Sequence, residues 1–377
     1  MREQMIVTVM KILHVSHEGR LAGAERSLLL LLRHLRGRVE SVVTCPAGSD
    51  LADICREQGV ACESLPVVSR GHALSLWKCL RATRSLRRIV RRVNPDIIHA
   101  NNIHAMAIAS LSRGLCGSRL IWHVRDVPKP GFVTRWCAKR ADRLIAVSNA
   151  VKGRLMELNV NEQKIDMVYN GVDMPTVNMP SIESDDGPNR GDSFTFACVG
   201  QIVRWKNQED FLKAAEIVHR QFPEAKFLLV GSDVFKRRDS YQARLRDMIE
   251  SRRISYVQCI GWQKDMEPIW RRTDCLVHTA NMEPFGRVVI EAMAHGRPVV
   301  AYACGGPAEI VDDGRFGLLV PFGDVDALAA AMLRIAREGG LAEAMGQAAS
   351  QRVRECFGAD KTAEGVMTVY QKLLEER

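Results

Sequence analysis

A chain of 377 residues, 46% hydrophobic and 26% charged, has an ordinary globular balance and enough length for two domains with separate cores. Its formal charge of +9 favours anionic partners, namely nucleotide phosphates, phospholipid surfaces or nucleic acid, without choosing among them. Eleven cysteines show no CxxC or His-paired spacing, which argues against a zinc or disulfide framework and for a reducing cytosol, and no run approaches the roughly 18 apolar residues that span a bilayer.

The N-terminal stretch MREQMIVTVMKILHVS is apolar enough to imitate a short signal core, but Lys11 interrupts it and no small-residue cleavage site follows. It reads as a first strand. From Lys11 short apolar runs alternate with segments of helical period: KILHVS, Ala24 to Leu35, SVVTC, Leu51 to Gln58, then Asp96 to Ala100, Arg119 to Val124, Arg143 to Val147 and Ile165 to Val168. That alternation predicts βαβ units and a parallel sheet. The loop His17 to Glu25 follows the first strand and opens a helix, where open α/β sheets bind ligands; Gly23 there suits either close backbone approach to a ligand or a plain turn. Leu76 to Val93 puts Leu76, Leu80, Leu86, Val90 and Val93 on one helical face and Arg81, Arg84, Arg88 and Arg91 on another. Such a face either is simply solvated or docks on anionic lipid; without interleaved aromatics it does not suit nucleic acid.

Met174 to Ser193 is rich in Pro, Ser, Asp and Gly and reads as a linker. Alternation then resumes with Phe194 to Val199, Asn207 to His219, Phe227 to Val230, Tyr241 to Ser251, Val257 to Ile260 and Cys275 to His278. The expected layout is an N-terminal domain over 1–178, a linker over 179–193, a second domain over 194–360 and a final helix over 361–377 that packs back on the first domain. Arg204 and Lys206 sit in the loop after the second domain's first strand, where they either neutralise a diphosphate or are ordinary surface charges.

The most informative stretch is NMEPFGRVVIEAMAHGRPVV, residues 281–300. Pro284 and Gly286 suit a turn, Arg287 to Ala294 a helix, and His295-Gly296 its stop before a strand. The free N–H groups around residues 285–288 and the helix dipole make an anion site, while Glu283 and Glu291 bind hydroxyl donors. A phosphate-linked sugar satisfies both. Taken alone the two acids could equally be early-turn and solvated helix residues. The following diglycine, Gly305-Gly306, permits close approach of backbone to ligand.

Nearly the whole chain resembles glycosyltransferase family 4, through MKILHVS, AGAE, NPDIIHAN, ADRLIAVSNAV, VYNGVD, the RWK loop, LVGSD, EPFGRVVIEAMAHGRPVVA, GGPAEIV and GLLVPFGD. The resemblance implies an α/β fold of GT-B architecture, with two Rossmann-like doubly wound parallel-sheet domains facing across a cleft, and a retaining transferase that uses a nucleotide-diphosphate sugar. It implies that Glu283 holds donor-sugar hydroxyls, that Phe285 and Gly286 offer backbone N–H groups near the diphosphate, and that Glu291 holds the ribose. Lys206 would contact the donor phosphates; Arg287 would belong to the donor site, Gly23 would lie near the phosphates, and Gly261-Trp262 near the base.

The chain departs from the family pattern at three places. Gln201 directly follows Gly200, so Arg204 is expected to supply the missing arginine charge. Asn207 follows Lys206 in place of a glycine. Arg125 occupies the position of the first-domain histidine in WHVRD, with His123 on the same strand face; His123, Arg125 and Asp126 are the acceptor-side candidates.

Arg204, Lys206 and the helix N–H groups would stabilise the leaving diphosphate. No Asp-x-Asp cluster stands in a suitable loop, so transfer without metal or other cofactor is expected. The expected partners are a nucleotide-sugar and a glycan or lipid-linked acceptor, with no nucleic acid, and the expected location is the cytoplasm, with peripheral contact at the inner face of an anionic membrane. Competing readings are an epimerase or phosphorylase on the same plan, or a non-catalytic nucleotide-sugar-binding protein.

Overall fold

The structure, a computed structural model, describes residues 9–66, 76–112, 117–175, 193–233 and 241–376. The chain forms two compact units, Met1–Gly171 together with Ala359–Arg377, and Val172–Gly358. The linker expected over 179–193 lies, except for Ser193, outside the described residues.

In the first unit β1 (Lys11–Val15), β2 (Glu40–Cys45), β3 (Ala61–Ser64), β4 (Ile97–Ala100), β5 (Arg119–Val124), β6 (Arg143–Ala146) and β7 (Ile165–Met167) form a sheet in the order β3-β2-β1-β4-β5-β6-β7. Every pairing is parallel. Helices α1 (Gly23–Leu35), α2 (Asp50–Glu57), α3 (Leu76–Val93), α4 (Ile103–Ser112), α5 (Phe132–Arg140) and α6 (Asn149–Glu157) make the crossovers that parallel pairing requires. The strands read as continuous apolar runs because both faces are covered: β4 and β6 are buried at all positions.

The second unit repeats the plan. Strands β8 (Thr195–Val199), β9 (Lys226–Val230), β10 (Val257–Gly261), β11 (Cys275–His278), β12 (Val299–Tyr302) and β13 (Gly317–Val320) pair in the order β10-β9-β8-β11-β12-β13. Helices α7 (Gln208–Gln221), α8 (Tyr241–Ser251), α9 (Glu267–Arg271), α10 (Arg287–Ala294), α11 (Gly306–Val311), α12 (Val325–Arg337) and α13 (Leu341–Cys356) complete it.

In each sheet the strand order reverses direction beside its first strand, at β1/β4 and at β8/β11. Loops leaving those strands diverge there and open the crevice in which such sheets bind ligands.

The last helix, α14 (Ala359–Glu375), belongs to the first unit. It buries Ala363, Val366, Met367, Tyr370 and Leu373 against Leu31 and Leu35 of α1 and Ile97, Ile121 and Ile145 of the sheet. Gly365 fits against Val168, where a Cβ would come within 3.0 Å of the valine methyl.

Candidate active site

The second unit gathers its charges at the β8/β11 switch point. Arg204 to Lys206 form a single 3-10 turn after β8, and Asn207 ends it in the left-handed region at φ 52°, so a non-glycine residue carries the strain there. Two long-range bonds fix the turn against the loop that follows β11: Asn281 N–H donates to the Trp205 carbonyl at 2.8 Å, and Thr279 Oγ1 to the Lys206 carbonyl at 2.9 Å. Lys206 Nζ then reaches Glu283 Oε2 as an ion pair, with side chains 13% and 12% exposed. His278, the last residue of β11, places Nε2 3.7 Å from the same carboxylate oxygen.

Electrostatics fix the protonation states. Burial by itself raises the Glu283 carboxyl, but the Lys206 charge beside it outweighs burial, with His278 adding to the effect, and holds it at about 2. Burial lowers His278, and Lys206 adds to this against the opposing pull of Glu283. The result is a carboxylate that stays ionised and an imidazole that resists charging.

The diglycine Gly305-Gly306 packs against the glutamate loop. A Cβ on Gly305 would stand 2.3 Å from the Glu283 carbonyl oxygen, and one on Gly306 2.2 Å from that of Phe285. Gly306 N–H also donates to the Glu283 carbonyl at 2.8 Å. The diglycine thus packs directly on the chain's own Glu283–Phe285 backbone, and this holds the glutamate loop in place.

Gly286 caps α10 at φ 99°, a conformation a side chain would strain, and Phe285 is buried at 2% exposure. Arg287, the first residue of the helix, donates from Nη2 to Glu291 Oε1, one turn further on, at 3.0 Å. Gly261 ends β10 with positive φ, its carbonyl accepting from Gly231 N–H at 2.8 Å, and Trp262 beyond it is 52% exposed. Arg204 is exposed.

In the first unit Gly23 is the first residue of α1, and Glu25 accepts from Ala22 N–H at 3.2 Å. Burial pushes the Glu25 carboxyl up to about 7, its backbone hydrogen bonds opposing and Glu18 adding to the rise. Asp126 is exposed, whereas His123, named with it as an acceptor-side candidate, is fully buried.

His14, His99 and His123 lie on adjacent strands β1, β4 and β5, with ring centroids 5.1 and 5.2 Å apart. Arg125 Nη1 donates to Asn170 Oδ1 at 2.6 Å, and Nη2 stands 3.3 Å from His123 Nδ1. Because a guanidinium only donates, His123 Nδ1 accepts; His99 Nε2, 3.0 Å from the same atom, therefore carries its proton, and His99 Nδ1 accepts from Tyr370 Oη at 2.5 Å. The C-terminal helix thus joins a polar line that ends at Arg125. Burial keeps all three imidazoles neutral, with the Arg125 charge adding to the effect.

Sequence reasoning missed His278, Glu25, His99, Asn170 and Tyr370. The available signal for His278 and His99 was a histidine within an otherwise apolar run at a strand's carboxyl end.

Residues 21–174 match the family described as Glycosyltransferase Family 4, and residues 181–352 that described as Glycosyl transferases group 1. The lipopolysaccharide core biosynthesis glycosyltransferase LpsE of Rhizobium meliloti is 25% identical over 98% of this chain and 100% of its own. N-acetyl-alpha-D-glucosaminyl L-malate synthase of Bacillus anthracis is 26% identical over 76% of this chain and 77% of its own. Anabaena HepE, solved with UDP and glucose, superposes with a TM-score of 0.82 at 23% identity, over 96% of this chain and 99% of its own.

Two Rossmann-like parallel-sheet units with such neighbours define a GT-B glycosyltransferase. The chain belongs to glycosyltransferase family 4.

Proposed function

We propose that the protein moves a sugar from a nucleoside-diphosphate donor to an acceptor hydroxyl, with retention at the anomeric carbon and without a metal ion. The observation that carries this reading is the Lys206–Glu283–His278 cluster at the β8/β11 switch point. Glu283, kept ionised, accepts hydrogen bonds from hydroxyls of the transferred sugar. Lys206, with Arg204 in the same turn, neutralises charge that grows on the diphosphate as the glycosidic bond breaks. The acceptor hydroxyl attacks from the face the diphosphate leaves, and its proton passes to the departing phosphate oxygen. Glu291, one turn into α10, is assigned to the ribose.

The acceptor is a glycan or lipid-linked glycan met at the cytoplasmic face of a membrane. Relatives named for lipopolysaccharide core biosynthesis support that reading, and so does α3. This helix carries no acidic residue, and its Lys78, Arg81, Arg84 and Arg88 line one cavity with Trp77, which is 76% exposed. Exposed cations beside an exposed indole suit an anionic lipid interface. No described helix is long and apolar enough to cross a membrane.

Nucleotide-sugars offered singly to the purified protein with a lipid-linked acceptor test the reaction. Sugar transfer with the anomeric configuration unchanged is the expected product, and epimerised sugar or free sugar phosphate as the main product overturns it.

A further inference from the structure

Three cysteines that sequence spacing leaves unrelated meet at one edge of the first sheet. Cys45 ends β2, Cys55 lies on α2, and Cys62 is the second residue of β3, the edge strand. In the parallel register Cys62 stands opposite Val43, so Cys45, two residues further along β2, points to the same face. Cys45 and Cys55 are fully buried in the cluster formed with Leu28, Leu51 and Ala52, whereas Cys62 is exposed. The Cys45 and Cys62 sulfurs are 3.1 Å apart. A disulfide needs about 2.05 Å, so a closing movement of about 1 Å separates the two thiols from a bond.

The cluster polarises its members. The contact with Cys45 and the neighbouring Cys55 thiol, with the Arg56 guanidinium nearby, lower the Cys62 thiol, while the Cys62 neighbour together with burial raises the other two. The exposed sulfur is the one a peroxide meets first, and the buried Cys45 sulfur stands directly behind it, the order a peroxide-reactive pair requires. Cys259 is a built-in control: it is also exposed, but partial burial pushes its thiol up.

We propose that Cys62 and Cys45 form a peroxide-reactive dithiol, with Cys62 as the attacking sulfur and Cys45 as the resolving one. The Cys62 thiolate attacks one peroxide oxygen, breaking the O–O bond and leaving a sulfenic acid and hydroxide. The Cys45 sulfur then attacks the Cys62 sulfur, displacing a second hydroxide as the S–S bond forms. The protons released by the two thiols convert both hydroxides to water, so two thiols and one peroxide give one disulfide and two waters. The bond would tie β3 to β2 beside Ser49, whose hydroxyl caps α2 by accepting from Ala52 N–H at 3.3 Å.

Titrating the full-length protein with hydrogen peroxide, alkylating the remaining thiols and mapping peptides by mass spectrometry tests the proposal. A Cys45–Cys62 cross-link that appears before Cys259 is oxidised, and that a dithiol reductant reverses, is the expected result. Cys62→Ser loses the reaction, Cys45→Ala stops it at a sulfenic acid trapped by a dione probe, and Cys55→Ala leaves the cross-link intact. Oxidation of Cys62 no faster than Cys259, Cys62 passing to sulfinic acid with Cys45 still alkylatable, or a Cys55–Cys62 link in place of Cys45–Cys62 each overturns it.

Discussion

Lys206 and Glu283 stand 77 residues apart in the chain and form one ion pair. Strand order brings them together: β8 and β11 are neighbours, so the loops that leave them share one end of the sheet. On the proposed reading, the pair sets a cation for phosphate and an anion for sugar hydroxyls side by side.

Replacing Lys206 by alanine removes the main influence that lowers the Glu283 carboxyl. Loss of one preorganised charge of this kind costs about 10²–10³-fold in kcat. The acidic limb of the rate profile should also move up from about 2, because the buried Glu283 carboxylate then loses the cation beside it. A steady-state pH profile of Lys206→Ala beside wild type measures both effects, and an unchanged limb would separate Lys206 from Glu283.

Glu283 and Glu25 give stability opposite dependences on pH. Glu283, held at about 2 against an ordinary 4.5, contributes stability that is complete above 4.5 and is lost as pH falls toward 2. Glu25, held up to about 7, keeps a proton that the unfolded chain has released above 4.5, so its contribution falls as pH rises from 4.5 to 7 and is level beyond. The neutral buried histidines act in the other sense, losing stability as pH falls below 6.5. Urea midpoints of wild type and Glu25→Gln from pH 4.5 to 7 isolate the Glu25 effect: the gap between them should widen in favour of the variant as pH rises.

Gly305→Ala sets a methyl 2.3 Å from the Glu283 carbonyl at a φ of 63°. Overpacking of this kind costs about 1–3 kcal/mol, and here the displaced backbone is the one that carries Glu283. A lowered melting temperature and a drop in kcat larger than the change in KM are expected. Gly339→Ala, which meets nothing within 4 Å, should show neither.

Tyr370→Phe removes the donor to His99 Nδ1 and leaves a buried acceptor unsatisfied, at a cost of about 1–3 kcal/mol. Thermal unfolding reads that cost. If the polar line helps to orient Arg125, kcat should fall as well although Tyr370 is fully buried.

Arg84→Glu with Arg88→Glu should abolish flotation on vesicles containing phosphatidylserine or phosphatidylglycerol while leaving transfer to a soluble acceptor unchanged. Flotation that is indifferent to both the lipid charge and the two substitutions would remove membrane docking from α3.

Much of this molecule is legible in its sequence. Alternating apolar and helical periods mark two parallel sheets, and the end of α3 at Val93 and the bounds of α10 at Arg287 and Ala294 follow from local signals, because helix period and Pro or Gly breaks act over a few residues. The resemblance in EPFGRVVIEAMAHGRPVVA identifies the family from the same short range. Strand order and the return of the chain are different in kind. The Lys206–Glu283 contact, Gly305 seated on the Glu283 backbone, Tyr370 bonded to His99 and the meeting of Cys45 with Cys62 each join residues whose separation carries no period. Periodicity decides which face of an element is buried; which neighbour buries it, and so which side chains meet, is decided by packing the whole sheet.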